Sequence, residues 1–126
     1  MTHAKQFFCK MTWGIALLAM VLLLVRCTGD RATLADGVWR ATLQRADGHP
    51  VVFNFEVTDS AGKKVIYVFN SKDRMRVDSI LFSEDSVFIQ MPFFDSHFAA
   101  KIEKDGSLGG VWTKDYGNRV EQMHFH

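Results

Sequence analysis

The sequence predicts an all-β fold: about eight antiparallel strands in a meander forming a closed or nearly closed barrel or sandwich, preceded by an N-terminal apolar signal helix. Three observations lead there. From Gly37 onward, short runs rich in Val, Ile, Phe, Tyr and Trp recur about every 11 residues, with turn residues between them. Within the run 51–58, Val51, Phe53, Phe55 and Val57 fall on one face while Asn54, Glu56 and Thr58 fall on the other, the period-two signature of a half-buried strand. After Leu34 no stretch of about ten residues carries a 3.6-residue period, which excludes crossover helices and the parallel sheet they would serve.

The expected strands are 37–44, 51–58, 64–70, 74–82, 86–91, 97–103, 108–114 and 119–125. Six links supply Gly, Asn or Asp where a positive φ is expected: Ala46-Asp47-Gly48-His49-Pro50, Asp59-Ser60-Ala61-Gly62, Asn70-Ser71-Lys72-Asp73, Ser83-Glu84-Asp85, Lys104-Asp105-Gly106 and Asp115-Tyr116-Gly117-Asn118. Links this short join antiparallel neighbours. An eight-stranded meander has two bare edges unless its sheet closes on itself, so closure or near-closure is expected. A barrel of that size is either filled by side chains or holds one small ligand. Trp39, Phe53, Phe55, Tyr67, Phe69, Phe98 and Trp112 are large enough to fill it, and a filled interior is the expectation.

The first 27 residues read as an address. Lys5 and Lys10 precede the uncharged stretch 11–25, whose aliphatic centre, 15–25, ends directly before Arg26 and Cys27. A positive start, an apolar middle and a processing site make a signal peptide. The apolar stretch is shorter than the ~20 residues that span a bilayer comfortably. Leu24-Val25-Arg26-Cys27 resembles the bacterial lipobox, which implies that the Cys27 thiol carries a diacylglycerol and becomes the first residue of the mature chain. Arg26 stands where that pattern has a small residue. Residues 28–36 are small and polar, as a tether should be, leaving 37–126 as the folded domain.

A chain of 126 residues holds one domain. After Cys27 there are twelve Lys and Arg against fourteen Asp and Glu, a net of −2 with both signs interspersed, so nucleic acid is not an expected partner. Eleven Phe with only two Pro suit a packed β core. The two cysteines, Cys9 and Cys27, both precede the domain, which therefore has neither a disulfide framework nor a Cys-x-x-Cys dithiol. No Gly-x-Ser-x-Gly, phosphate-cradling glycine loop or paired-carboxylate signature occurs. No cofactor, no metal and no enzymatic activity are expected.

Several residues nevertheless invite a functional reading. Gly37-Val38-Trp39 and Gly110-Val111-Trp112 resemble the Gly-x-Trp of lipocalin-type barrels, although a core Trp beside a crowding-relieving Gly explains both copies. His124 and His126 share a face at i, i+2, with His97 as a conceivable third imidazole, but no Cys or carboxylate cluster completes a metal set. Arg74, Arg76 and Asp78 line one face of the fourth run and read as a solvated surface with cross-strand ion pairs. Met91-Pro92-Phe93-Phe94-Asp95 is unusual, because a tight link is normally polar and this one carries adjacent aromatics. Phe93 and Phe94 either fold inward as a plug or form an exposed patch for a partner. Phe93, Phe94, Trp39 and Trp112 are the candidate contacts.

The phrases Gly37-Val38-Trp39-Arg40-Ala41-Thr42-Leu43, Phe53-Asn54-Phe55-Glu56-Val57, Arg76-Val77-Asp78-Ser79-Ile80, the segment 85–96 and Leu108-Gly109-Gly110-Val111-Trp112 together resemble the β-rich N-terminal accessory domain of TlpA-like thiol:disulfide oxidoreductase lipoproteins. The resemblance covers most of 37–123. In that family the active dithiol belongs to a following thioredoxin domain, for which this sequence has no counterpart residues. It implies a non-enzymatic, membrane-anchored lipoprotein domain of the bacterial cell envelope, facing the periplasm or exterior, that serves protein interaction or substrate positioning. Envelope proteins or a thioredoxin-like domain are the implied partners. The alternative is a calycin-like barrel binding a small apolar ligand.

Overall fold

A computed structural model describes residues 32–126; the expected signal segment with Cys27, and the first part of the expected tether, lie outside the described residues. Nine strands follow in chain order: β1 (Gly37–Gln44), β2 (Val51–Ser60), β3 (Lys63–Asn70), β4 (Asp73–Val77), β5 (Ile80–Ser83), β6 (Ser86–Gln90), β7 (Ser96–Ile102), β8 (Leu108–Asp115) and β9 (Val120–Phe125). They form one antiparallel sheet in the order β4-β3-β2-β1-β9-β8-β7-β6-β5. The two edge strands are consecutive in the chain, and the sheet curls into a nearly closed barrel with no helix among the described residues.

Eight strands were expected and nine are present among the described residues, because the single run anticipated at 74–82 is broken in two. Its first part pairs with β3 as far as Val77 opposite Ile66. Its second part pairs with β6, starting where the Ser79 carbonyl accepts the Gln90 N–H at 3.0 Å. Only Asp78 and Ser79 lie between the two strands. The Ile80 N–H donates back to the Asp78 carbonyl at 3.1 Å, a three-residue turn that kinks the chain. The kink lets one stretch serve both edges of the wall, with β4 completing it beside β3 and β5 beside β6.

Period-two alternation sends one set of side chains inward. Register aligns Trp39, Phe55, Val68 and Met75 in one row, Val57, Ile66 and Val77 in the next, and Ile80, Ile89, Phe98, Trp112 and Met123 on the opposite wall. Phe125 meets Phe98 edge to face at 5.1 Å and 90°, and Phe53 bridges Phe55 and Phe98 at 6.3 and 6.4 Å. Each fully buried aromatic or aliphatic chain here contributes about 1.5–3 kcal/mol. The interior retains one wholly apolar void of about 30 Å³, lined by Phe53, Phe55, Phe98 and Phe125 among others. A small-molecule site needs roughly 300 Å³ or more.

Tyr67 and Phe69, expected inside, lie on the outer face. In β3 five consecutive apolar residues, 65–69, make either phase possible, and the pairing of Ile66 with Val57 and of Val68 with Phe55 decides it. Tyr67 and Phe69 therefore point outward, where Arg74 and Arg76 of β4 cover them.

Residues 32–36, the end of the expected tether, are docked on the barrel. The Ala32 N–H donates to the Glu84 carbonyl, the Ala35 carbonyl accepts the Trp39 indole N–H at 3.0 Å, and Leu34 is 1% exposed inside the core cluster. Leu34 thus plugs the end of the barrel at the β5–β6 turn. Lys64 fastens the same segment to β2, its ammonium group lying 2.7 Å from Asp36 and 2.8 Å from Asp59. Those carboxylates, Asp36 foremost, hold its pKa above the ordinary lysine value.

Candidate functional site

At the other end of the barrel, the link 91–95 between β6 and β7 is locked from below. The Met91 N–H donates to the Ser96 carbonyl at 2.9 Å, the Gln90 side-chain amide donates to the same oxygen at 3.0 Å, and the Asp95 carbonyl accepts the Asp115 N–H at 3.0 Å. Ser96 is buried and Met91 half-buried, so the barrel mouth is filled before Phe93 and Phe94 are reached. Two consecutive residues then take left-handed backbone, Phe94 at φ 71° and Asp95 at φ 41°. For a residue with a β-carbon this conformation costs about 1–2 kcal/mol. It turns the aromatics away from the core: Phe93 is 61% and Phe94 72% exposed. Of the two arrangements the sequence allowed, this is the outward patch.

The neighbouring β8–β9 loop extends it. The Lys114 ammonium group lies 5.2 Å from the Phe94 ring centre and 4.5 Å from that of Tyr116, and the Arg119 guanidinium lies 4.7 Å from Tyr116. The Tyr116 hydroxyl donates to Glu121 at 3.0 Å, and the Asp115 carboxylate caps the Gly117 N–H at 2.7 Å. Val120, also exposed, completes the rim. Two cations on ring faces add about 0.5–1 kcal/mol each at exposed sites, enough to orient the rings but not to hide them. The rim therefore presents aromatic rings, one aliphatic residue and basic groups on a backbone that is already ordered.

Lys114, Tyr116 and Arg119 were not singled out from the sequence, where 115–118 reads as a turn. The usable signal was an aromatic inside a turn, the same signal that draws attention to Phe93 and Phe94.

The other candidates are elsewhere. Trp39 points inward and stacks on Phe55 at 5.9 Å and 18°, and Trp112 packs half-buried against the core between Phe98 and Met123. Neither joins Phe93 and Phe94 on the surface. His97 lies against Phe88 at 4.8 Å, and no group of three potential metal ligands occurs among the described residues. Arg74 pairs with Glu56, while Arg76 donates to the Tyr67 hydroxyl at 2.9 Å and reaches Asp78 at 3.4 Å. Their donors are taken up by neighbours on the same sheet face.

No protein-family model, curated protein or solved structure matches the chain.

Proposed function

We propose that the barrel is the non-enzymatic binding module of a cell-envelope lipoprotein, anchored through a lipid on Cys27, and that it holds a protein partner or positions a substrate through the rim built around Phe93 and Phe94. The observation that carries this reading is the outward display of two adjacent phenylalanines on strained but hydrogen-bonded backbone. Water gains nothing from such a display, and the chain bears both the backbone cost and the exposed apolar surface. Tyr116 and Arg119 beside them belong to the residue types that dominate protein–protein hot spots. The resemblance of 37–123 to the accessory domain of TlpA-like oxidoreductases supports an envelope protein or a thioredoxin-like domain as the partner. The calycin-like alternative finds less support, since the interior void of about 30 Å³ is far smaller than the roughly 300 Å³ of a small-molecule site.

The test uses the full chain in detergent. Titration with a purified thioredoxin-like domain should show binding that weakens about tenfold or more in Phe94→Ala, with the unfolding midpoint of the variant no lower than that of the parent. Unchanged binding in Phe93→Ala and Phe94→Ala would remove the rim from the reading. Labelling with radioactive palmitate should mark the parent and not Cys27→Ser; label on both would remove Cys27 as the anchor.

A further inference from the structure

Lys114 occupies a position where a barrel mouth ordinarily closes with an apolar residue. Its phase in β8 is the inward one, shared with Trp112, and its partner across the ladder to β7 is the buried Ser96. The side chain is half-buried, and its ammonium group lies against two rings, 5.2 Å from the centre of Phe94 and 4.5 Å from that of Tyr116. The Arg119 guanidinium lies against the same tyrosine at 4.7 Å, so two like charges share one ring and repel each other. Among the described residues no carboxylate pairs with either cation. Two acidic neighbours are engaged elsewhere: Asp115 accepts the Gly117 N–H at 2.7 Å, and Glu121, opposite Lys114 in the ladder to β9, accepts the Tyr116 hydroxyl at 3.0 Å. The third, Asp95, makes no ion pair with either.

Resting on the rim as the partner's binding surface, we propose that Lys114 is the anchor for a side-chain carboxylate of the protein partner, an aspartate or glutamate presented next to an apolar residue that covers Phe94. Any partner that covers Phe94 also takes water from the ammonium group beside it. A neutral apolar partner would leave that cation buried and unpaired, which costs more than the ring contact gains. A carboxylate removes the penalty and offsets the repulsion between Lys114 and Arg119. The rings also displace solvent from the ammonium group, so an ion pair made there is screened less than one in open water. A compact, rotatable ammonium head takes a carboxylate from many directions, whereas the fixed rings dictate where the neighbouring apolar group must lie.

The probes are the capped dipeptides acetyl-Phe-Glu-amide and acetyl-Phe-Gln-amide, with inorganic phosphate beside them, each titrated into the isotope-labelled full chain in detergent micelles. The Glu peptide should shift the ring resonances of Phe93, Phe94 and Tyr116 and bind at least about fivefold more tightly than the Gln peptide. Raising salt from about 50 to about 500 mM should weaken the Glu peptide at least about threefold and leave the Gln peptide unchanged. Lys114→Met, which keeps an unbranched stem against the rings, should bring the two peptides within about twofold of each other, and Lys114→Arg should preserve the preference. Phosphate should leave the Phe93 and Phe94 rings unshifted, because it brings no apolar group to lie on them. Equal binding of the two peptides, a preference that survives Lys114→Met, ring shifts from phosphate as large as those from the Glu peptide, or no ring shifts at tens of millimolar Glu peptide would each overturn the anchor. The peptide comparison and the salt series use the unaltered chain, so both decide the matter even where a variant folds poorly. None of these outcomes depends on whether Phe94→Ala weakens a protein partner, so the anchor can fall while the rim stands.

Discussion

Gly110 lies so close to Ala99 that a β-carbon on it would sit 2.1 Å from the Ala99 carbonyl oxygen and 2.8 Å from the Ala100 α-carbon. Both obstacles are backbone, so β7 and β8 would have to separate rather than rotate a side chain. Gly110→Ala should therefore destabilise the fold by about 1–3 kcal/mol, the range of overpacked cores. Its neighbour Gly109 has open space at the same position, and Gly109→Ala should shift the urea midpoint far less. Equal midpoints for the two variants would refute the close approach.

Phe94→Gly separates stability from binding. The substitution relieves a left-handed conformation that glycine adopts freely and removes a ring that is mostly in water. A gain of about 0.5–1 kcal/mol in chemical denaturation is expected, reduced by the greater freedom of glycine in the unfolded chain. Association through the rim should weaken in the same variant. A residue whose removal stabilises the fold and costs binding is placed there for the partner; a variant that loses both would instead mark Phe94 as structural.

The two Gly-Val-Trp phrases show where sequence reading succeeds and where it stops. Both tryptophans pack against the core, as an apolar residue on a strand face should. Yet the glycines differ in kind: Gly110 is required by the β7 backbone, whereas Gly37 has nothing near its missing β-carbon and is needed for φ 132°. Spacing along the chain cannot distinguish these cases, because one depends on a strand ten or more residues away and the other on a local angle. The same limit explains β3, where apolar residues on both faces leave the phase to Val57 and Phe55 across the ladder, and it explains the break at Asp78, which exists only because the two halves of one run have different neighbours. Turn chemistry was legible at Gly48, Gly62, Gly106 and Gly117, all at positive φ. At Phe94 the same chemistry was hidden, because an aromatic stands where a turn of this shape ordinarily has Gly or Asn.

Stability should fall at both pH extremes for identifiable reasons. The Ser86 hydroxyl, and after it the Lys101 ammonium group, hold the Asp85 carboxyl below its ordinary value; the Ser107 hydroxyl and N–H do the same for Asp105. A carboxyl depressed in the folded state contributes stability above its unfolded pKa of about 3.9 and loses it as pH falls through the folded value. Lys64, raised in the folded state, contributes below its unfolded pKa of about 10.4 and loses it as pH rises through the folded value. Urea midpoints should be flat between these limits and decline outside them. Asp105→Asn should flatten the acid limb, and Lys64→Met the alkaline limb.

Leu34 tests whether the segment before β1 belongs to the folded unit or merely leads to it. Its side chain is 1% exposed and belongs to the core cluster, yet it sits on irregular backbone with one described main-chain bond nearby, Ala32 to Glu84. If burial governs, Leu34→Ala should cost about 2–5 kcal/mol, as in a strand interior, because the cavity it leaves is closed by the barrel walls and cannot collapse. If the segment instead swings away when its anchor weakens, water enters and the loss should drop toward the transfer value of roughly 2 kcal/mol or less. Hydrogen exchange separates the cases. A rigid segment keeps the Ala32 amide protected until global unfolding, whereas a hinged one releases that amide, and the Trp39 indole N–H with it, while β2 and β3 remain protected. Lys64→Met removes the tie to Asp36 without touching the core, so combining it with Leu34→Ala should produce less than the sum of the single losses if both hold one cooperative lid, because a lid already released by one change has little left to lose to the other.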